Sequence, residues 1–190
     1  MELITAQTLW KDYDSRSLPL GETVLSVENL SRYTVKHIYF NGEATGDGCT
    51  RIYARLYTPA SIPSGAAAVL MNDIETPFDA TYINLLTDCG YTVLVPDYAG
   101  KRDGKGLFTI YPDSLRRANY YTEDSGFYRL PVNPKLSCWY VYATVMARCF
   151  TYLERLKEID KNRIALFGVR RGGHQVYKAA YLLPEAACAV

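Results

Sequence analysis

Residues Gly168-Val169-Arg170-Arg171-Gly172-Gly173 constrain the fold of this chain more than any other stretch. They follow a strand-like run, Arg163-Ile164-Ala165-Leu166-Phe167, and open a helix-like run over residues 174–183. A chain that turns from strand to helix over so few residues needs glycine where its backbones approach closely. Such a turn belongs to a strand–helix unit stacked on a sheet, so an α/β architecture is the expectation.

The rest of the chain agrees. Ala66-Ala67-Ala68-Val69-Leu70-Met71 is continuously apolar, as a strand buried on both faces should be. Residues 80–89 read as a helix ended by Gly90. Tyr91-Thr92-Val93-Leu94-Val95 is a second buried strand, stopped by Pro96. Residues 136–159 form a long helical pattern, with Val141, Val145, Phe150, Leu153 and Leu156 near helical spacing. Residues 185–190 begin a further strand.

Upstream, residues 33–40 and 51–57 alternate polar and apolar positions. Asn41-Gly42 and Gly46-Asp47-Gly48 supply turn chemistry between them, so these two strands pair antiparallel. The predicted fold is α/β: a mostly parallel sheet flanked by helices, with antiparallel first strands. Residues 1–32 are read as an N-terminal arm and 33–190 as the domain. Residues 105–142 form an aromatic-rich connection or lid.

At 190 residues, 48% hydrophobic and 22% charged, the chain has material for one globular core. A net charge of +1 gives no strong pull toward nucleic acid or membrane, and neither is expected as a partner. No apolar run is long enough to cross a bilayer. Met1-Glu2-Leu3-Ile4 lacks a basic region followed by an apolar one, so no signal peptide is expected. Five cysteines without C-x-x-C spacing fit reduced thiols in a cytoplasmic protein. Neither His37 nor His174 lies near a cysteine pair, so no metal is expected, and no cofactor.

Strand, tight glycine turn and helix are the context of a nucleophile elbow, G-x-S-x-G. The glycines stand in the right places, but the serine position holds Arg170. A guanidinium stays protonated and cannot attack a carbonyl. The alternative use of such a turn, a dinucleotide site, fits poorly. The pattern is G-x-x-x-G-G rather than G-x-G-x-x-G, and it comes late in the chain.

The order of these parts resembles the α/β-hydrolase superfamily, in its acetyl xylan esterase, cephalosporin deacetylase and dienelactone hydrolase branch. Tyr57-Thr58-Pro59-Ala60 resembles the end of that branch's "G-x-L-Y-x-P" strand. Residues 90–100, from Gly90-Tyr91 through Pro96-Asp97 to Gly100, resemble "G-Y-x-V-L-x-x-D-x-R-G". Asp160-Lys161-Asn162-Arg163-Ile164 leading to Gly168 resembles "D-x-x-R-I-x-x-x-G". The resemblance covers residues 33–190 and implies the frame truncated after about its sixth strand. It implies hydrolysis of acyl or acetyl esters, yet three of its functional positions depart. Arg170 replaces the nucleophile. Asn72-Asp73 stands where relatives often carry His-Gly in the oxyanion loop. The family's acid and histidine follow the sixth strand, so His37 and His174 come too early to serve. Two readings therefore stand: a non-catalytic domain acting by binding or assembly, and an esterase whose triad is completed outside this stretch or rebuilt.

The first reading gives Arg170 an anion to meet. A helix N-terminus carries partial positive charge, so a guanidinium there calls for compensation. An external carboxylate or phosphate could supply it, as could a protein carboxylate. Asp73 is favoured, with Asp97 and Glu75 next. The expected pocket comprises Arg170, Arg171, Asn72, Asp73, Asp97 and His174, with Arg171 on the oxyanion side or simply solvated. Ser125 and Ser137 lack the setting of a nucleophile, and Cys138 and Cys149 read as small packed hydrophobes.

The aromatic connection holds Phe108, Tyr111, Tyr120, Tyr121, Phe127, Tyr128, Trp139, Tyr140 and Tyr142. It could cover the sheet and arm, form an interface, or stack on a sugar. Small anionic or carbohydrate ligands and self-association, the latter through this segment or the 186–190 edge, are the expected partners.

Overall fold

The computed structural model of the chain describes residues 4–72, 80–102, 104, 106–127, 129 and 131–190, with backbone alone at Asn72. Its strands are β1 (Thr23–Asn29), β2 (Tyr33–Thr45), β3 (Gly48–Pro59), β4 (Ala66–Asn72), β5 (Thr92–Asp97), β6 (Ile159–Gly168) and β7 (Cys188–Ala189). Its α-helices are α1 (Ala6–Trp10), α2 (Ala80–Asp88), α3 (Cys138–Glu154) and α4 (Arg171–Leu182). One seven-stranded sheet runs in the order β1-β2-β3-β5-β4-β6-β7. The β1–β2, β2–β3 and β3–β5 ladders are antiparallel. The β4–β5, β4–β6 and β6–β7 ladders are parallel, as the crossover helices require.

Alternation along each central strand feeds two cores. Ala68 and Leu70 of β4 join Leu94, Ile164 and Leu166 beneath α3 and α4. Val69 and Met71 face the other way, with Val93, Val95 and Ile83 of α2. The sheet is thus covered on both faces, which explains its apolar central strands.

Sequence expectation and structure differ in three places that matter here. Asn41-Gly42, read as turn chemistry, lies within β2 at a shift of register, and the chain reverses at Gly46-Asp47. The expected strands number six; the seventh, β1, lies within the residues read as an arm. All seven of its residues are exposed, so no buried face marks it in the sequence. The long helix starts at Cys138, after Ser137 Oγ accepts a hydrogen bond from Tyr140 N at 3.2 Å, and ends at Glu154 rather than 159. Residue 159 already belongs to β6.

Helix α3 is buried around nearly its whole circumference, because the N-terminal segment lies along its outer side. Trp10 stacks on Tyr140 with ring centroids 4.2 Å apart. Tyr13 Oη donates to the Thr144 carbonyl at 3.2 Å, and Ser15 and Thr151 share a hydroxyl hydrogen bond of 2.9 Å. Arg16 forks to Glu154 at the helix end, at 2.8 and 3.0 Å, and also bonds Glu185. Arg148, inside the helix, reaches out to three carbonyls of this wrapping and to that of Asn41 in β2.

Candidate functional site at the strand–helix elbow

Strand β6 ends at Gly168, and two residues later α4 begins. The turn is too tight for a side chain at its entrance. A Cβ on Gly168 would lie 2.5 Å from the Gly172 carbonyl carbon and oxygen and 2.7 Å from Gly173 N. Glycine at 168 therefore lets the strand and helix touch, and Gly172 N closes the turn on the Val169 carbonyl at 2.9 Å. Between them Arg170 takes φ 54°, ψ −117°. Among the described residues it is the one non-glycine with a positive φ. An L-residue there carries strain of about 1–3 kcal/mol. The elbow backbone is intact; its side chain is an exposed guanidinium with no hydrogen bond or ion pair among the described residues.

Arg171, expected to be either an oxyanion-side residue or solvated, is half-buried instead. Its Nη1 donates to Tyr120 Oη at 2.5 Å. Its guanidinium carbon lies 5.5 Å from the Tyr120 ring centroid and 5.0 Å from that of Phe127. Positions 171, 174 and 178 share one helix face at i, i+3 and i+7, and that face meets the aromatic connection. The exposed His174 ring is 6.4 Å from Trp139. Lys178 Nζ sits 3.4 Å from the Trp139 ring centroid. Burial pulls the Lys178 amine down to about 8, whereas the ring face favours its ammonium form. No acidic residue stands in the first turn of α4.

No protein-family model and no curated protein matches the sequence. Solved structures do match in fold. An acetyl xylan esterase from Paenibacillus sp. R4 superimposes with TM-score 0.57 and 18% identity, over 90% of this chain and 53% of its own. Acetyl xylan esterase 1 from Thermoanaerobacterium sp. JW/SL YS485 gives 0.58 and 17%, over 90% and 51%. A glucuronoyl esterase from Solibacter usitatus gives 0.60 and 16%, over 92% and 52%. The chain has an α/β-hydrolase fold. It spans about half the length of these structures.

Within the hydrolase frame the other expected residues scatter. Asn72 ends β4 in register with Gly168, so the end of β4 lies one strand over from the elbow. Asp73 and Glu75, the favoured partners of Arg170, lie outside the described residues. Asp97 ends β5, opposite Tyr53 of β3. With β4 between β5 and β6, it stands two strand spacings, about 10 Å, from the elbow strand.

His37 is four spacings away, about 19 Å, on β2. Its Nδ1 shares a 2.6 Å hydrogen bond with Tyr53 Oη, and its Nε2 lies 3.3 Å from Glu28 of β1. That network was hidden from the sequence along with β1. Ser137 caps α3, and Ser125 Oγ accepts from Phe127 N at 3.4 Å, so both hydroxyls serve backbone. Cys149 is fully buried, and Cys138 Sγ donates to the Arg117 carbonyl at 3.0 Å while burial raises its thiol to about 11. Neither is a ready nucleophile. Among the described residues no three histidine, cysteine or acidic side chains gather to hold a metal, and no helix is long and apolar enough to cross a membrane.

The aromatic partners of Arg171 were flagged in the sequence only as a group. The i, i+3, i+7 spacing of Arg171, His174 and Lys178 is the signal that could have joined them into one cationic face.

Proposed function

We propose that this chain is a non-catalytic α/β-hydrolase-like domain that binds a small anionic or acidic-carbohydrate ligand at the former nucleophile position. The observation that carries the reading is Arg170, an exposed guanidinium in the elbow conformation at the N-terminus of a 12-residue helix. A helix N-terminus repels that charge, and an incoming carboxylate or phosphate relieves the repulsion while accepting a forked pair of hydrogen bonds. Arg171 and Lys178 extend the same sign of charge along the helix, with His174, Trp139 and Tyr120 beside them. Self-association through residues 186–190 or the aromatic connection belongs to the same reading, and a monomer in light scattering at high concentration would remove that part.

A second reading is hydrolysis of acyl or acetyl esters with a nucleophile other than residue 170. Its support is the fold likeness to proteins named as acetyl xylan and glucuronoyl esterases. Labelling with a fluorophosphonate probe, followed by mass spectrometry, separates the two. The binding reading expects no adduct. A stoichiometric adduct on one serine overturns it and names the nucleophile.

A further inference from the structure

A second cationic site lies in the aromatic connection, and no elbow residue lines it. Two short 3₁₀ turns, Asp113–Ala118 and Pro134–Leu136, frame a cleft of about 350 Å³. That volume falls within the range of small-molecule sites. Arg116, Arg117 and Arg129 line it together, against one carboxylate, Asp113. Pro131 and Leu136 form its apolar side.

The convergence of the three arginines is built by backbone. Gly126 N donates to the Arg117 carbonyl at 2.8 Å, and Arg129 N donates to the Gly126 carbonyl at 3.0 Å. Cys138 Sγ adds a further bond to the Arg117 carbonyl. Gly126 is buried in the join: a Cβ there would meet both Arg117 Cβ and Cys138 Sγ at 3.3 Å. Two segments ten residues apart are thereby stitched so that their guanidinium groups share one opening.

Like charges brought together without a partner repel, and the protein supplies little compensation. Arg116 pairs with Asp124 at 3.2 Å. The side chains of Arg117 and Arg129 make no hydrogen bond or ion pair among the described residues. The nearby Asp47 carboxylate is already used, accepting from Ser114 N at 2.9 Å and Ser114 Oγ at 2.7 Å.

We infer that this cleft binds a small organic oxyanion, a phosphate ester or a carboxylate, whose charged head is forked by Arg117 and Arg129. Arg116 completes the positive rim, and the body of the ligand lies against Pro131 and Leu136. Guanidinium forks match both oxyanions, so the shared chemistry is the recognised feature.

The test uses three probes with one ring and different heads: glucose 6-phosphate, glucuronate and glucose. Calorimetric titration of the intact chain is expected to show at least one charged probe binding tenfold or more tightly than glucose, with affinity falling as salt is raised. Whichever charged probe binds identifies the head group. Arg117→Gln combined with Arg129→Gln should weaken that binding by tenfold or more, since the charge-assisted bonds of both guanidinium groups are lost. The titrations are repeated in the Arg170→Gln background, where the binding that survives belongs to the cleft and the binding that disappears belongs to the elbow; loss of all charged-probe binding in that background overturns the inference. Equal binding of all three probes, or unchanged binding in the double variant, overturns the inference.

Discussion

Arg148→Met is expected to cost this fold about 3–5 kcal/mol, more than most single substitutions. Arg148 is 1% exposed, in the middle of α3. Its Nε donates to the Asn41 carbonyl at 2.8 Å, and its Nη1 to those of Ser15 at 2.5 Å and Leu18 at 2.9 Å. Its Nη2 donates to the Pro19 carbonyl at 3.2 Å. These are charge-assisted bonds, worth about 1.5–3 kcal/mol each, so the four together contribute about 6–12 kcal/mol before desolvation. Burying a guanidinium takes back several kcal/mol, and burial does pull the Arg148 side chain below its ordinary pKa.

Methionine fills the volume but removes the charged donor from four carbonyls, of which Ser15 keeps only a 3.4 Å bond from Thr151 Oγ1 and Pro19 only a 3.3 Å bond from Asn41 Nδ2. Three of them belong to the N-terminal segment, which can lift away and rehydrate, but only by giving up the Trp10–Tyr140 stack and the Tyr13 and Ser15 contacts. Either route loses about 3–5 kcal/mol, the usual result of breaking a buried charge partnership. In a domain of this size that lowers Tm by about 6–20 °C. Urea denaturation measures the loss, and limited proteolysis detects the lifted segment. Arg148→Lys keeps the charge but not the planar fork, and should fall between wild type and methionine. A methionine variant within about 1 kcal/mol of wild type, with its first 20 residues still protected, would refute the idea that this arginine fastens the segment.

Three further outcomes are expected. Gln175 is fully buried, and neither its Oε1 nor its Nε2 has a partner among the described residues; Gln175→Met should therefore stabilise by about 1–3 kcal/mol, and calorimetry showing a loss would mean the amide is bonded after all. Gly168→Ala should destabilise by about 3 kcal/mol or more, because its methyl meets Gly172 backbone at 2.5 Å. Gly173→Ala, whose methyl meets Gly168 O at 3.4 Å, should be neutral or gain up to about 1 kcal/mol in helix propensity; equal urea midpoints for the two alanine variants would contradict the packing argument. Lys178, held at about 8, should show an NMR titration midpoint there. Its folded pKa is below the unfolded one, so its penalty is present below pH 8 and is removed as pH rises to about 10.5; a midpoint near 10.4 would show that the Trp139 face, not burial, sets its charge.

What could be read in the sequence was whatever the backbone itself demands. Gly168 marks a contact that no other residue permits, so the elbow and its flanking strand and helix were legible. The apolar runs of β4 and β5 follow from burial on both faces and were legible for the same reason. β1 was not, because all seven of its residues are exposed and it offers no buried face to pattern. The circumferential burial of α3 was equally hidden, since it depends on a segment more than 100 residues earlier that Arg148 gathers by main-chain carbonyls. Arg148 looks like a surface charge until that segment is laid over it. Tyr120 stands 51 residues from Arg171, and nothing local in either stretch specifies that they meet.

The elbow poses a sharper question, because its strain survives without the residue that usually exploits it. Arg170 holds φ 54° at about 1–3 kcal/mol of backbone energy, and glycine at 170 would hold it more easily. The cause lies two residues to either side: the Gly168–Gly172 contact fixes where β6 and α4 meet, and the chain between them has no other route. The strained conformation is thus a property of strand–helix packing in this fold and would persist with any side chain at 170. It identifies the architecture and says nothing by itself of catalysis. What distinguishes this domain is the side chain presented there, a fixed positive charge at the positive end of a helix, and the proposed anion binding rests on that arrangement.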